Sequence, residues 1–98
     1  MKDYLLLTHR LPPGASAAPD AWPSYLARLR GTGHFSGGSA IGEGLCVSRS
    51  GVTSDTTSHL TGYIRVSANS IDEACGLLEG HPVIDAGGTV EVRELPRD

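Results

Sequence analysis

Cysteine is nearly absent from this chain. Only Cys46 and Cys75 occur, and they do not form a CxxC pair. That argues against a disulfide-stapled scaffold and against a thiolate metal site. Aromatic residues are scarce too (Tyr4, Trp22, Tyr25, Phe35 and Tyr63), so any core is small and largely aliphatic. Positive charge is in the minority: 8 Lys and Arg against 11 Asp and Glu give a net charge of −3, with no basic run beyond the spaced Arg28 and Arg30. Affinity for a phosphate backbone comes mainly from Lys and Arg, so a nucleic-acid partner is not expected. No stretch approaches the ~20 apolar residues of a membrane-spanning helix, so no membrane partner is expected either. MKDYLLLTHR has only a very short apolar run and no small-residue cleavage site after it. It does not read as a signal peptide, and the cytoplasm is the expected compartment.

The 98 residues, 39% of them apolar, suit one domain over 1–98. Tyr4 to Leu7 are all apolar with no alternation, the pattern of a central strand covered on both faces. The Leu11–Pro19 segment, with tandem prolines, is a loop. Asp20 reads as an N-cap and Pro23 falls in the first turn of a helix. Trp22, Tyr25, Leu26 and Leu29 then recur at i, i+3, i+4 and i+7 to give that helix one apolar face, and Gly31 ends it. The glycine-rich run from Gly31 to Gly51 predicts a hairpin, with strands near His34–Gly38 and Gly44–Ser48. Val52–His59 is expected to be an exposed loop.

The last third is the clearest part. Leu60–Ser67 alternates as a strand. Ser70-Ile-Asp-Glu73 is a capping box that opens a second helix. Ile71, Ala74, Cys75 and Leu78 are its expected buried stripe, and Gly80 ends it. His81–Asp85 is expected to be a loop or short edge segment, and Gly88–Leu95 the last strand. The result is an α+β chain of the ferredoxin-like βαββαβ plan, with room for one extra strand. Its antiparallel sheet carries two helices on one face. Because the first strand is apolar on both sides, a second copy of the chain is the expected cover for the other face.

The chain also resembles the YCII-related family of small dimeric α+β-barrel proteins. The matching stretches are Tyr4-Leu5-Leu6-Leu7, Tyr25-Leu26-Ala27-Arg28-Leu29, Leu60-Thr61-Gly62-Tyr63, Ser70-Ile-Asp-Glu-Ala74 and Gly87-Gly88-Thr89-Val90-Glu91-Val92-Arg93. The resemblance implies a dimeric barrel. One branch of the family carries a His in the first helix and an Asp after the second, and here those positions hold Tyr25 and His81. Another carries Asp-Gly-Pro-Phe and then Glu-Thr-Lys, where this chain has Ser50-Gly51-Val52-Thr53 and then Asp55-Thr56-Thr57.

Candidate chemistry starts at the exit of the first strand. Strand ends in such folds open onto a ligand cleft, so His9 is a candidate proton carrier and Arg10 a candidate substrate contact. Through the resemblance, Tyr25 and His81 form a candidate acid/base pair with His9, although Tyr25 also falls on the core face of its helix. Trp22 and Ser36 are candidate pocket residues. Gly31–Gly38 follows a helix and leads into a strand, the wrong context for a phosphate loop. His9, His34, His59 and His81 have no short metal-ligand spacing, so neither a metal nor another cofactor is expected. Cys75 is expected to be buried and inert, and Cys46 to be a small core residue. These readings converge on a homodimer with a pocket between the first helix and the sheet for a small polar organic ligand, with modest acid/base catalysis. The alternative is a non-catalytic interaction module.

Overall fold

The structure, a computed structural model, describes residues 1–97. Its elements are β1 (Lys2–His9), α1 (Ala21–Gly31), β2 (Phe35–Ala40), β3 (Cys46–Ser48), β4 (Gly51–Thr53), β5 (Leu60–Ala68), α2 (Ile71–Gly76), α3 (Pro82–Asp85) and β6 (Val90–Leu95). Four strands form an antiparallel sheet in the order β2-β5-β1-β6. The two long strands are central, and both crossovers run through helices. This is the α+β ferredoxin-like plan.

The strand pattern determines which face carries the core. Tyr4, Leu6 and Thr8 of β1 and Ile64, Val66 and Ala68 of β5 are buried under the helices, where Tyr25, Leu29 and Ala74 join the same cluster. Each aliphatic side chain wholly buried there contributes about 1.5–3 kcal/mol. Leu5 and Leu7, one residue out of phase, lie on the other face and are only half-buried. Their cross-strand neighbours are Arg65 and Arg93 for Leu5, and Tyr63 and Glu91 for Leu7. The shortest dimension is 18 Å, about one sheet and one layer of helices. Among the described residues no helix is long and apolar enough to cross a membrane.

Several local expectations are corrected. The glycine-rich run does not fold into one hairpin. β2 pairs with β5 instead, while β3 and β4 form a separate exposed two-stranded ribbon that takes in Val52 and Thr53. Asp20 precedes α1 but its side chain makes no capping hydrogen bond. The left-handed residue past α1 is Gly33, φ +80°, two positions after Gly31. The capping box of α2 does form: the Glu73 N–H donates to Ser70 Oγ at 3.1 Å, and Glu73 Oε1 accepts from the Asn69 N–H at 3.0 Å. The helix is short, however: Ala74 is its inward residue, and Leu77 and Leu78, in the turn that follows, pack against the core beside it. Ile71 and Cys75 are exposed, as is Cys46 on the ribbon. Residues 81–85 are neither loop nor edge strand. Pro82–Asp85 is a single helical turn, because Pro82 suits a first helical position and the His81 ring caps it.

Candidate functional site

A cleft of about 540 Å³ lies between α1 and the β2–β5 side of the sheet. Trp22, Leu26 and Arg30, four residues apart along α1, form one wall. Phe35 and Gly38 of β2 and Ile64 of β5 form another, and Thr8, His9 and Val83 close one end. Gly38 has a steric reason to be glycine: a Cβ there would meet the Tyr63 carbonyl oxygen at 2.5 Å. The Arg30 guanidinium lies over the Phe35 ring, 5.4 Å from its centroid, so the one cation of the lining is held against an aromatic face.

Behind Trp22 stands a buried aromatic group. The His81 ring packs at 5.0 Å from Trp22 and 4.8 Å from Tyr25, centroid to centroid. His81 is wholly buried. The Val83 N–H donates to its Nδ1 at 3.1 Å, which leaves the proton of the neutral ring on Nε2, and Nε2 has no partner among the described residues. Burial pushes the His81 pKa down to about 4, partly offset by the Asp85 carboxylate. The Tyr25 hydroxyl donates to the Leu77 carbonyl at 2.8 Å, and burial raises its pKa to about 12 against the opposing pull of Arg28. Both groups are therefore neutral at neutral pH, and they meet each other through ring packing.

His9 belongs to a different cluster. The β1–β5 register shifts between Thr8 and His9, so His9 pairs with Leu60. Bulges of this kind re-aim a side chain. His9 Nε2 lies 2.9 Å from Glu91 Oε1, and the ring of His59 stands edge-on to that of His9 at 4.8 Å. Glu91 Oε2 accepts from Arg93 at 2.9 Å. The hydrogen bond from His9, and then Arg93, hold the Glu91 carboxyl below the usual range.

The sequence candidates thus separate. His9 and Trp22 line the cleft. Tyr25 and His81 come together but lie behind Trp22 rather than in the lining. Arg10 and Ser36 are exposed and do not line the cleft. Sequence reasoning missed Arg30, Leu26 and Phe35 in the walls, and Glu91 and His59 around His9. Helical spacing from Trp22 marks Leu26 and Arg30. No local signal marks Glu91 and His59, because a bulge and a strand pairing bring them to His9.

No family model and no curated protein matches the chain. Among solved structures it is similar to 5-chloro-2-hydroxyhydroquinone dehydrochlorinase (TftG) from Burkholderia phenoliruptrix, determined in complex with 2,5-dihydroxybenzoquinone. The TM-score is 0.56 at 18% identity, covering 100% of this chain and 96% of that one. At that identity the likeness establishes the fold: a small α+β chain with one helix-backed antiparallel sheet. It supports the YCII-related resemblance at the level of fold.

Proposed function

We propose that the protein is a single-domain cytoplasmic homodimer of the YCII-related family. In this reading it binds a small ring compound bearing polar substituents in the cleft under α1 and moves a proton on it through His9. The observation that carries this is the cleft itself. At about 540 Å³ it falls within the range of small-molecule sites, with apolar and aromatic walls and few polar groups, Thr8 and His9 at one end and Arg30 on the wall. Flat walls from Trp22 and Phe35 suit a planar ring, and Arg30 suits an anionic oxygen on it. The structural neighbour's ligand, 2,5-dihydroxybenzoquinone, is of that kind. His9 is the imidazole of the lining, and the Glu91 carboxylate orients it as an acid/base group needs. Tyr25 and His81 serve as the packed support that holds Trp22 in place. Arg10 and Ser36 keep a role only if the ligand extends beyond the described lining.

The homodimer rests on the bare sheet face. Leu5 and Leu7 are half-exposed there among Tyr63, Arg65, Glu91 and Arg93, a mixed surface that a second copy would cover. The test of ligand binding is a thermal-shift panel of phenols, hydroxylated quinones and aliphatic acids on the wild type and on Leu26→Trp, which fills the cleft. A ligand at a hundred times its Kd adds about 2.7 kcal/mol. Ring compounds should raise the melting temperature of the wild type and not of Leu26→Trp. No stabilisation by any ring compound, or equal stabilisation of the variant, would favour the interaction-module reading.

A further inference from the structure

We propose that His9, His59 and Glu91 form a binding site for one divalent transition-metal ion per chain, zinc or ferrous in class. One donor atom from each residue lies within 4.8 Å of the other two. Two imidazoles and one carboxylate are a donor set that suits these ions and leaves coordination positions open for water or an oxygen ligand. The residues come from three separate parts of the chain: the end of β1, the segment entering β5, and β6. Backbone hydrogen bonds fix their anchors. The His9 N–H donates to the Thr89 carbonyl at 3.0 Å, and the Arg10 N–H donates to the His59 carbonyl at 2.6 Å. The bulge at Thr8/His9 sets His9 beside His59. Without it the two-residue periodicity of β1 would continue unbroken.

The present spacing is that of a hydrogen-bonded cluster, and closure on a metal needs little movement. Metal–nitrogen bonds of about 2.0–2.1 Å put tetrahedral ligands about 3.4 Å apart. His9 Nε2 and Glu91 Oε1 are at 2.9 Å, so this pair opens slightly, while the exposed His59 ring swings in. For the metal to take an Nε2 lone pair, the N–H that faces Glu91 moves through solvent to Nδ1, and the ring stays neutral. Arg93 keeps Glu91 Oε2, so the carboxylate is presented through one oxygen, the outer support that ligating carboxylates require. The two uses of His9 belong to different states. Metal-free, it is the acid/base group of the proposed function, and that use of it rests on that reading. Metal-loaded, it is a ligand at the end of the cleft.

The test uses tag-free full-length protein and no organic ligand, so its outcome is independent of ligand binding in the cleft. Cobalt(II) is titrated and followed by its visible absorption, and zinc is then added as competitor. Isothermal titration gives the stoichiometry. The variants are His59→Ala and Glu91→Gln, with His34→Ala as control, because the His34 ring is engaged with the Ser67 carbonyl at 2.6 Å. Far-UV circular dichroism establishes that each is folded. One ion should bind per wild-type chain, displaced by zinc. Loss of an outer-sphere partner alone weakens metal sites about 10–100-fold, so each ligand variant should lose at least ~10-fold while His34→Ala loses none. Binding far below one ion per chain would overturn the proposal. So would unchanged affinity in both ligand variants, or an equal loss in the control.

Discussion

Acidification should unfold this protein through His81. In the unfolded chain this imidazole has the ordinary value of 6.5, whereas in the folded protein burial lowers it to about 4. Between those two values the unfolded state binds a proton that the folded state refuses, so stability falls as pH falls. The contribution is fully present above about pH 6.5 and is lost progressively toward pH 4. The gap between the two values corresponds to roughly 3–3.5 kcal/mol, a large share of the ~5–15 kcal/mol that holds a typical domain folded. Asp3 and Glu91 also have lowered values: burial is the largest single influence on Asp3 and raises it, but Arg65 and Arg97 together outweigh it, and for Glu91 the hydrogen bonds from His9 and Arg93 outweigh burial. Their pairings weaken in acid as well, so the wild type alone does not isolate His81. The comparison is with His81→Asn, which keeps a short acceptor at the cap of α3 and does not titrate. Urea denaturation is run at intervals from pH 7 to pH 4 on both proteins. His81→Asn should be less stable at pH 7, having lost the ring that packs on Trp22 and Tyr25, but its stability should fall less steeply, by about the amount above. Parallel curves for the two proteins would refute the assignment of a buried neutral imidazole.

Four further outcomes are expected. Ser70→Ala should cost about 1 kcal/mol in denaturant titration, the usual loss for an N-cap whose hydroxyl accepts a helix N–H. Leu6→Ala, at a wholly buried position, should cost about 2–5 kcal/mol, and Leu78→Ala, only partly buried, distinctly less. Gly38→Ala should weaken the β2–β5 pairing, read as faster amide exchange in β2, because the new methyl would meet the Tyr63 carbonyl and the Ile64 backbone. Light scattering at micromolar concentration should give the mass of a dimer, and a monomer mass would remove the second copy from the account.

The sheet was legible because its long strands carry unambiguous patterns. The apolar run Tyr4–Leu7 marked the central strand, and alternation marked β5 and β6, whose partners follow from the ferredoxin-like plan. The capping box at Ser70 was legible because it is purely local. The glycine-rich middle was not: Gly37, Gly38, Gly42, Gly44 and Gly51 carry no side chains whose pattern could assign a face or a partner. The sequence therefore points β2 to the next strand rather than to β5, and divides the β3–β4 ribbon between a hairpin and a loop. The inward face of α2 was misjudged because a helix from Ile71 to Gly76 is less than two turns, too short for periodicity to orient it. The site was half legible. Trp22 and His9 were found from position alone, whereas the partners of His9 depend on a bulge and on register. His81 was placed by resemblance, and its burial behind Trp22 depends on the turn of α3 folding back onto α1.

The most direct test of ligand binding in the cleft is a ¹H–¹⁵N NMR titration with 2,5-dihydroxybenzoquinone. Trp22 is the sole tryptophan, so its indole N–H is an unambiguous reporter on one wall, and the amides of Gly38, Gly62 and Ile64 report on the sheet side. Saturable shifts confined to these signals and to His9 are the result the account predicts. Shifts that never saturate, or that map to the Leu5 and Leu7 face while Trp22 and Gly38 stay fixed, would contradict it.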